Sequence, residues 1–229
     1  VGDVAVDDVI GWAAQTFGTL PARRKPQAYD EMRNLTLVSG LRHEHEVSTE
    51  VEGETVQVYY PTTDGRDSLL RRRLTMLARV LNERLRETIR EQLGEAYSPS
   101  ASSDSNDIYP GYGMIEVSTS ADTGRAADVL EACLKIGDEL AESGVTEEEL
   151  SRLREPLLKS LRDGLRNNGF WMGVLSRSQS KFGHLDEYRR LLDDYEQMRV
   201  DELSELAEQY LERSNASTVI VRQAESSGS

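Results

Sequence analysis

Apolar positions along this chain follow two periods, the 3.6-residue spacing of helices and the two-residue alternation of strands. Val6, Val9, Ile10, Ala13 and Phe17 recur at helical spacing, and Asp7 and Asp8 place negative charge early; together they predict a helix over 4–17 that Gly18 can stop. Leu20-Pro21-Ala22-Arg23-Arg24-Lys25-Pro26 then breaks regular structure, and its prolines and charges read as an exposed connector at a domain boundary. Over 38–61 the pattern changes to strands: Thr55-Val56-Gln57-Val58-Tyr59-Tyr60 is rich in β-branched and aromatic residues, and Glu52-Gly53-Glu54 can turn the chain before it. Leu70, Leu74, Leu77, Leu81, Leu85, Ile89 and Leu93 then form one stripe, which predicts a long helix over 67–93 capped by Gly94. Two further strands are expected over 96–103 and 113–119, separated by the turn-rich Asp104-Ser105-Asn106-Asp107.

The remainder is mostly helical. One helix is expected over 123–143, ended by Gly144, and Thr146 with Glu149 three residues later forms a capping box that opens the next. That helix should run to about Asn167, with Pro156 a point where it could kink. Shorter helices follow over 171–182, 185–197 and 200–211, and Thr218-Val219-Ile220-Val221 reads as a closing strand. Strands, helix, strands, helices, strand amounts to a two-layer α+β domain with helices packed on one sheet.

Composition changes this picture in three places. A formal charge of −14 argues against the nucleic-acid phosphate backbone as a partner, since that role needs a basic face. No apolar stretch approaches the length of a membrane span, and no stretch of these residues is expected to be a signal peptide. The single cysteine, Cys133, excludes an intrachain disulfide and a Cys-type zinc site, and its apolar neighbours read it as a buried small hydrophobe. A chain that opens on Val1-Gly2-Asp3-Val4 without an initiator Met is expected to be a fragment or a processed product.

Few residues suggest chemistry. In a strand, His43 and His45 of Arg42-His43-Glu44-His45-Glu46 point the same way, yet two imidazoles hold a metal firmly only if a third ligand arrives, so an exposed polar strand is the better reading. His184 is expected at the surface. The arrangements H-E-x-x-H, H-x-x-E-H and G-x-S-x-G are all absent, no base stands near Ser98, Ser100, Ser102 or Ser103, and no Gly-rich phosphate loop occurs. Glu147-Glu148-Glu149 and Asp193-Asp194 read as a solvated helix start and a helix surface. One segment differs: Leu85-Arg86-Glu87-Thr88-Ile89-Arg90-Glu91-Gln92-Leu93-Gly94-Glu95-Ala96-Tyr97-Ser98. Arg90 flanks the buried stripe at the end of the long helix, and Tyr97 opens the returning strand. The two can project toward a common edge as a guanidinium fork and a phenol donor suited to peptide carbonyls or an oxyanion. An ordinary surface Arg and a half-buried Tyr remain the alternative.

This segment resembles the R-E-x-x-G-x-x-Y-S signature of the inverzincin zinc peptidases, the pitrilysin/insulysin family that also includes the mitochondrial processing peptidase. Val1-Gly2-Asp3-Val4 through Phe17-Gly18-Thr19-Leu20-Pro21 resembles the family's stretch that closes the preceding domain, Val145-Thr146-Glu147-Glu148-Glu149-Leu150 its "vTeeEL" helix start, and Asn168-Gly169-Phe170-Trp171 the "N-x-x-W" of four-domain bacterial members. Glu95 stands where two-domain members usually carry an apolar residue.

The resemblance implies the C-terminal, substrate-binding half of a clamshell zinc endopeptidase. Residues 1–37 would be the trailing helix of the preceding domain and a linker, 38–223 a C-terminal two-layer α+β domain of the metallopeptidase/mitochondrial processing peptidase type, and 224–229 a tail. Arg90 and Tyr97 fall on the family's substrate-contacting Arg and Tyr, Tyr97 as transition-state donor and Arg90 as clamp on backbone carbonyls. The zinc, its ligands and the general base would lie in an N-terminal half, so this chain alone would hold no metal and cleave nothing. The implied partners are a peptide substrate and that zinc-bearing half, with neither nucleic acid nor membrane, and a bacterial periplasm is favoured over a cytoplasm. The alternative within the same family is a non-catalytic structural subunit.

Overall fold

A computed structural model describes residues 2–22, 29–48, 53–93, 98–178 and 183–224. Five strands carry the period-two segments: β1 (Arg42–Val47), β2 (Glu54–Pro61), β3 (Ser100–Ser105), β4 (Gly113–Ala121) and β5 (Ser217–Gln223). They form one sheet of order β1-β5-β2-β4-β3, in which β1 and β5 run parallel and the remaining pairs antiparallel. Alternation decides which face turns inward. Val56, Val58 and Tyr60 of β2, Ile115 and Val117 of β4 and Ile220 of β5 are buried, while the intervening residues face the other side.

The helical layer covers that inner face. α2 (Ser68–Leu93) lies on the sheet through Leu74, Leu77, Leu81, Leu85 and Ile89, all fully buried, with Met76 and Val80 widening the stripe. Each such side chain contributes about 1.5–3 kcal/mol on leaving water, so this stripe is a principal source of stability. α3 (Ala126–Ser143) adds Val129, Leu130, Cys133, Ile136 and Leu140. Gly137 of α3 is required by a close approach: a Cβ there would stand 2.4 Å from the Tyr60 hydroxyl, which is buried without a hydrogen-bond partner. α3 ends at Gly144, whose N–H donates to the Leu140 carbonyl at 3.0 Å and whose φ of 69° favours a residue without a Cβ. The capping box opens α4 (Glu147–Gly164) as expected, and α4 runs on through Pro156. α5 (Asn168–Arg177), α6 (His184–Arg189), α7 (Leu191–Glu196) and α8 (Val200–Tyr210) complete the layer. A mixed α+β domain with helices on one face of a sheet is thus what the periodicity predicts.

Several expectations need correction. Asp104 and Ser105 belong to β3, paired with Met114 and Gly113, because the ladder with β4 outweighs their turn preference; the turn starts at Asn106, whose side-chain oxygen accepts the Ile108 amide at 2.7 Å. The helix expected over 185–197 divides at Arg190 into α6 and α7, and the Glu187 carbonyl next to that joint accepts from the buried Arg72 guanidinium at 2.6 Å. His184 is buried rather than superficial, because it packs edge-on against Tyr188 with ring centroids 5.0 Å apart.

Before the sheet comes α1 (Val6–Thr16), which has no buried residue and leaves Val6, Ile10, Trp12 and the following Phe17 exposed. The chain then approaches β1 along Ser217, whose hydroxyl donates to the Val38 carbonyl at 2.6 Å and accepts the Leu41 amide at 3.2 Å.

Candidate functional site

The candidate site lies where α2 hands over to β3. Ile89 is fully buried, and that fixes the phase of the last turn of α2, in which Arg90 follows one position later, about 100° round the helix. Past its midpoint the helix is held from both sides. Arg84 donates to both carboxylate oxygens of Glu149, at 2.7 and 3.0 Å, and to the Gly144 carbonyl at 2.8 Å, which ties α2 to the α3–α4 junction. On the opposite side the Asn82 side-chain oxygen accepts the Ala101 amide at 2.9 Å, so α2 grips the second residue of β3. Six residues separate Leu93 from Ser100, and β3 then runs along the border of the sheet, paired with β4 on one side and with no strand on the other among the described residues. The side chain of Arg90 and the whole of Tyr97, together with the Gly94 cap, lie outside the described residues.

Burial alone would raise the Glu149 carboxyl, but hydrogen bonds from Arg84 and Thr146 outweigh it and hold the group down to about 2. The acidic run at 147–149 is therefore not uniformly solvated: Glu147 and Glu148 are exposed, while Glu149 is a working part of the junction that positions α2.

The sheet face turned away from the helices is polar. Tyr59 and Glu116 stand opposite each other across β2 and β4, and partial burial followed by the neighbouring Glu116 carboxylate raises the Tyr59 phenol. The register sets His43 beside Val219 and His45 beside Val221, so both imidazoles point to this same face, stacked 6.0 Å apart at 20°. Among the described residues no group of three or more His, Cys, Asp or Glu side chains is placed to hold a metal ion. Nor is any helix among them long and apolar enough to cross a membrane.

His184 is the polar residue whose environment the sequence reading missed. It is 6% exposed, and neither ring nitrogen has a hydrogen-bond partner. The four-residue spacing to Tyr188 on a short helix was the available signal.

Residues 1–157 match the family model of the peptidase M16 inactive domain. An uncharacterized zinc protease of Mycobacterium leprae is 29% identical over 146 residues, which covers 64% of this chain and 32% of that protein. Among solved structures, the fold resembles the periplasmic protease PqqL from Escherichia coli, with a TM-score of 0.78 and 19% identity over 98% of this chain and 25% of that one. It also resembles a peptidase M16 inactive domain from Pseudomonas fluorescens, with a TM-score of 0.75 and 15% identity over the whole of this chain and 54% of that one.

Proposed function

The chain belongs to the family of the peptidase M16 inactive domain, and from that premise we propose that it is the substrate-binding half of a zinc-dependent endopeptidase, presenting Arg90 and Tyr97 to a peptide held in a closed chamber. The observation that carries this reading is the position of the Arg90 segment. It straddles the junction of the longest helix and a border strand, where one side of β3 has no strand among the described residues to take its backbone groups.

Such a border accepts an extended peptide by main-chain hydrogen bonding, and a side chain at the end of α2 meets that peptide at its flank. Arg90 would hold a backbone carbonyl of the substrate with its guanidinium, and Tyr97 would donate from its phenol to the oxygen that gains charge as the carbonyl is attacked. The family resemblance is what assigns the zinc to a preceding half. The exposed apolar residues of α1, Val6, Ile10, Trp12 and Phe17, suit a helix that closes a domain lying before this one.

The test is cleavage of a quenched fluorescent peptide by this chain combined with its zinc-bearing half. Activity should appear only in the combination, and Arg90→Ala and Tyr97→Phe should each lower kcat/KM by about 10²–10³-fold without releasing zinc. A zinc-loaded, assembled pair that cleaves nothing would transfer the reading to a structural subunit of the same family.

A further inference from the structure

A cleft of about 990 Å³ opens at the N-terminal end of α2, at the far end of that helix from Arg90 and about 30 Å away along it. Its walls are the start of α2, the turn between β3 and β4, α5 and α6. Arg33, Arg66, Arg71 and Arg177 line it with Asp107 and Glu187, and Arg66 also pairs with Asp64 at 3.9 Å, so four guanidiniums stand with three carboxylates. In a chain of net charge −14 this is a local excess of positive charge. Arg71 is fixed there by its bonds to the Gly65 carbonyl and to Glu187 at 3.1 Å.

Two polar side chains inside the cleft lack partners. His184 lines it with both ring nitrogens buried and unbonded, and the buried Ser105 hydroxyl has no partner either. A buried donor left without an acceptor is destabilising. Two such groups beside several guanidiniums favour a ligand that brings acceptor oxygens. Ile108 and Tyr188 add apolar surface next to them, which suits a carboxylate carried on an aliphatic stem. The space also continues, by way of Arg71, Ser105 and Tyr188, into a groove bordered by Ser103 and Asp104 of β3 and by Leu191 and Tyr195. A groove that follows a border strand fits a polypeptide better than a small free anion.

We propose that this cleft is a second peptide-binding site, which reads the carboxylate of an Asp or Glu side chain in an extended peptide running along β3. The proposal rests on the reading of the chain as a peptide-binding half, and it adds a preference for acidic residues remote from the Arg90 end. β3 spans six residues, so the acidic residue lies about 15–20 Å from the substrate position nearest the start of β3.

The test is fluorescence anisotropy of the 229-residue chain with labelled peptides of about a dozen residues that differ only in one Glu or Gln. The Glu peptide should bind about ten-fold more tightly, and the preference should shrink as salt rises. Arg66→Ala combined with Arg177→Ala should erase the preference, so that the Glu and Gln peptides bind alike; both residues are exposed, so the fold should survive, and circular dichroism checks it. Equal affinity for the two peptides would overturn the cleft assignment and leave the peptide-binding reading intact. A Glu preference that persists in the double variant would overturn it as well, by placing acid recognition elsewhere. Binding of neither peptide would count against the underlying reading. Displacement of the Glu peptide by millimolar inorganic phosphate, with no Glu-over-Gln preference, would reassign the cleft to free anions.

Discussion

Arg84 clasps Glu149 through both carboxylate oxygens, and this one pair joins the middle of the longest helix to the first turn of α4. Because the Glu149 carboxyl is held down to about 2, from an ordinary 4.5, the folded state binds its proton less readily than the unfolded chain does. The associated stability is fully present above pH 4.5 and is lost as pH falls toward 2. Arg84→Ala should therefore destabilise the chain by about 1–3 kcal/mol at pH 7, and the gap to the parent chain should narrow as pH falls through that window. Urea unfolding at several pH values reads this directly. A gap independent of pH would mean that the contribution of Arg84 is packing rather than charge.

The Tyr60 hydroxyl sits under Gly137 with no partner, and burial raises its phenol strongly. Removing an unsatisfied buried hydroxyl relieves a cost, so Tyr60→Phe should be neutral or stabilising by up to about 1 kcal/mol. Gly137→Ala forces a methyl to within 2.4 Å of that oxygen and should destabilise by about 1–3 kcal/mol. Thermal unfolding of the two single variants and of the double variant separates the effects. Combining Gly137→Ala with Tyr60→Phe should recover only part of the loss, since the ring carbon Cζ of Tyr60, which the second substitution keeps, already lies 3.2 Å from the added methyl.

Much of this fold can be anticipated from periodicity. The stripe from Leu74 to Ile89, the alternation of Val56, Val58 and Tyr60 and the Thr146 capping box all act within a few residues of sequence, where spacing dictates direction. Sheet order is different. β5 inserts between β1 and β2, so that Thr218 pairs with Arg42 across most of the chain, and spacing carries no information about such a partner. Arg90 and Tyr97 stand out only through a family signature, because on physical grounds an Arg at a helix end and a Tyr at a strand start are ordinary. The cleft around His184 has no local signature, since α2, α5, α6 and the β3–β4 turn meet there from distant parts of the sequence.

Cys133 packs inside α3 at 1% exposure, and burial pushes its thiol up to about 12. The reactive thiolate is therefore both scarce and occluded in the folded chain. A disulfide-exchange reagent at pH 8 should label it at least about 10²-fold more slowly in buffer than in denaturant, at a rate set by opening of the fold. Labelling at the rate of the unfolded chain would show that α3 detaches readily from the sheet.

Arg72 has 5% exposure, and its guanidinium bonds both to the Asp194 carboxylate of α7 and to the Glu187 carbonyl of α6 at 2.6 Å. Desolvating a charge costs several kcal/mol, and the paired carboxylate and carbonyl offset that cost only while both are in place. Asp194→Ala leaves the cation buried with one partner and should destabilise the chain by about 3–5 kcal/mol. Arg72→Met removes the charge but keeps most of the stem, so its cost should be smaller, with Asp194 free to turn toward water from its 14% exposed position. In the double variant neither ion is left stranded, and its loss should fall clearly below the sum of the single losses. A urea double-mutant cycle measures the difference: a coupling of about 1–3 kcal/mol is expected, and strict additivity would mean that the α6–α7 joint is held by Leu191 and Tyr195 without help from the pair.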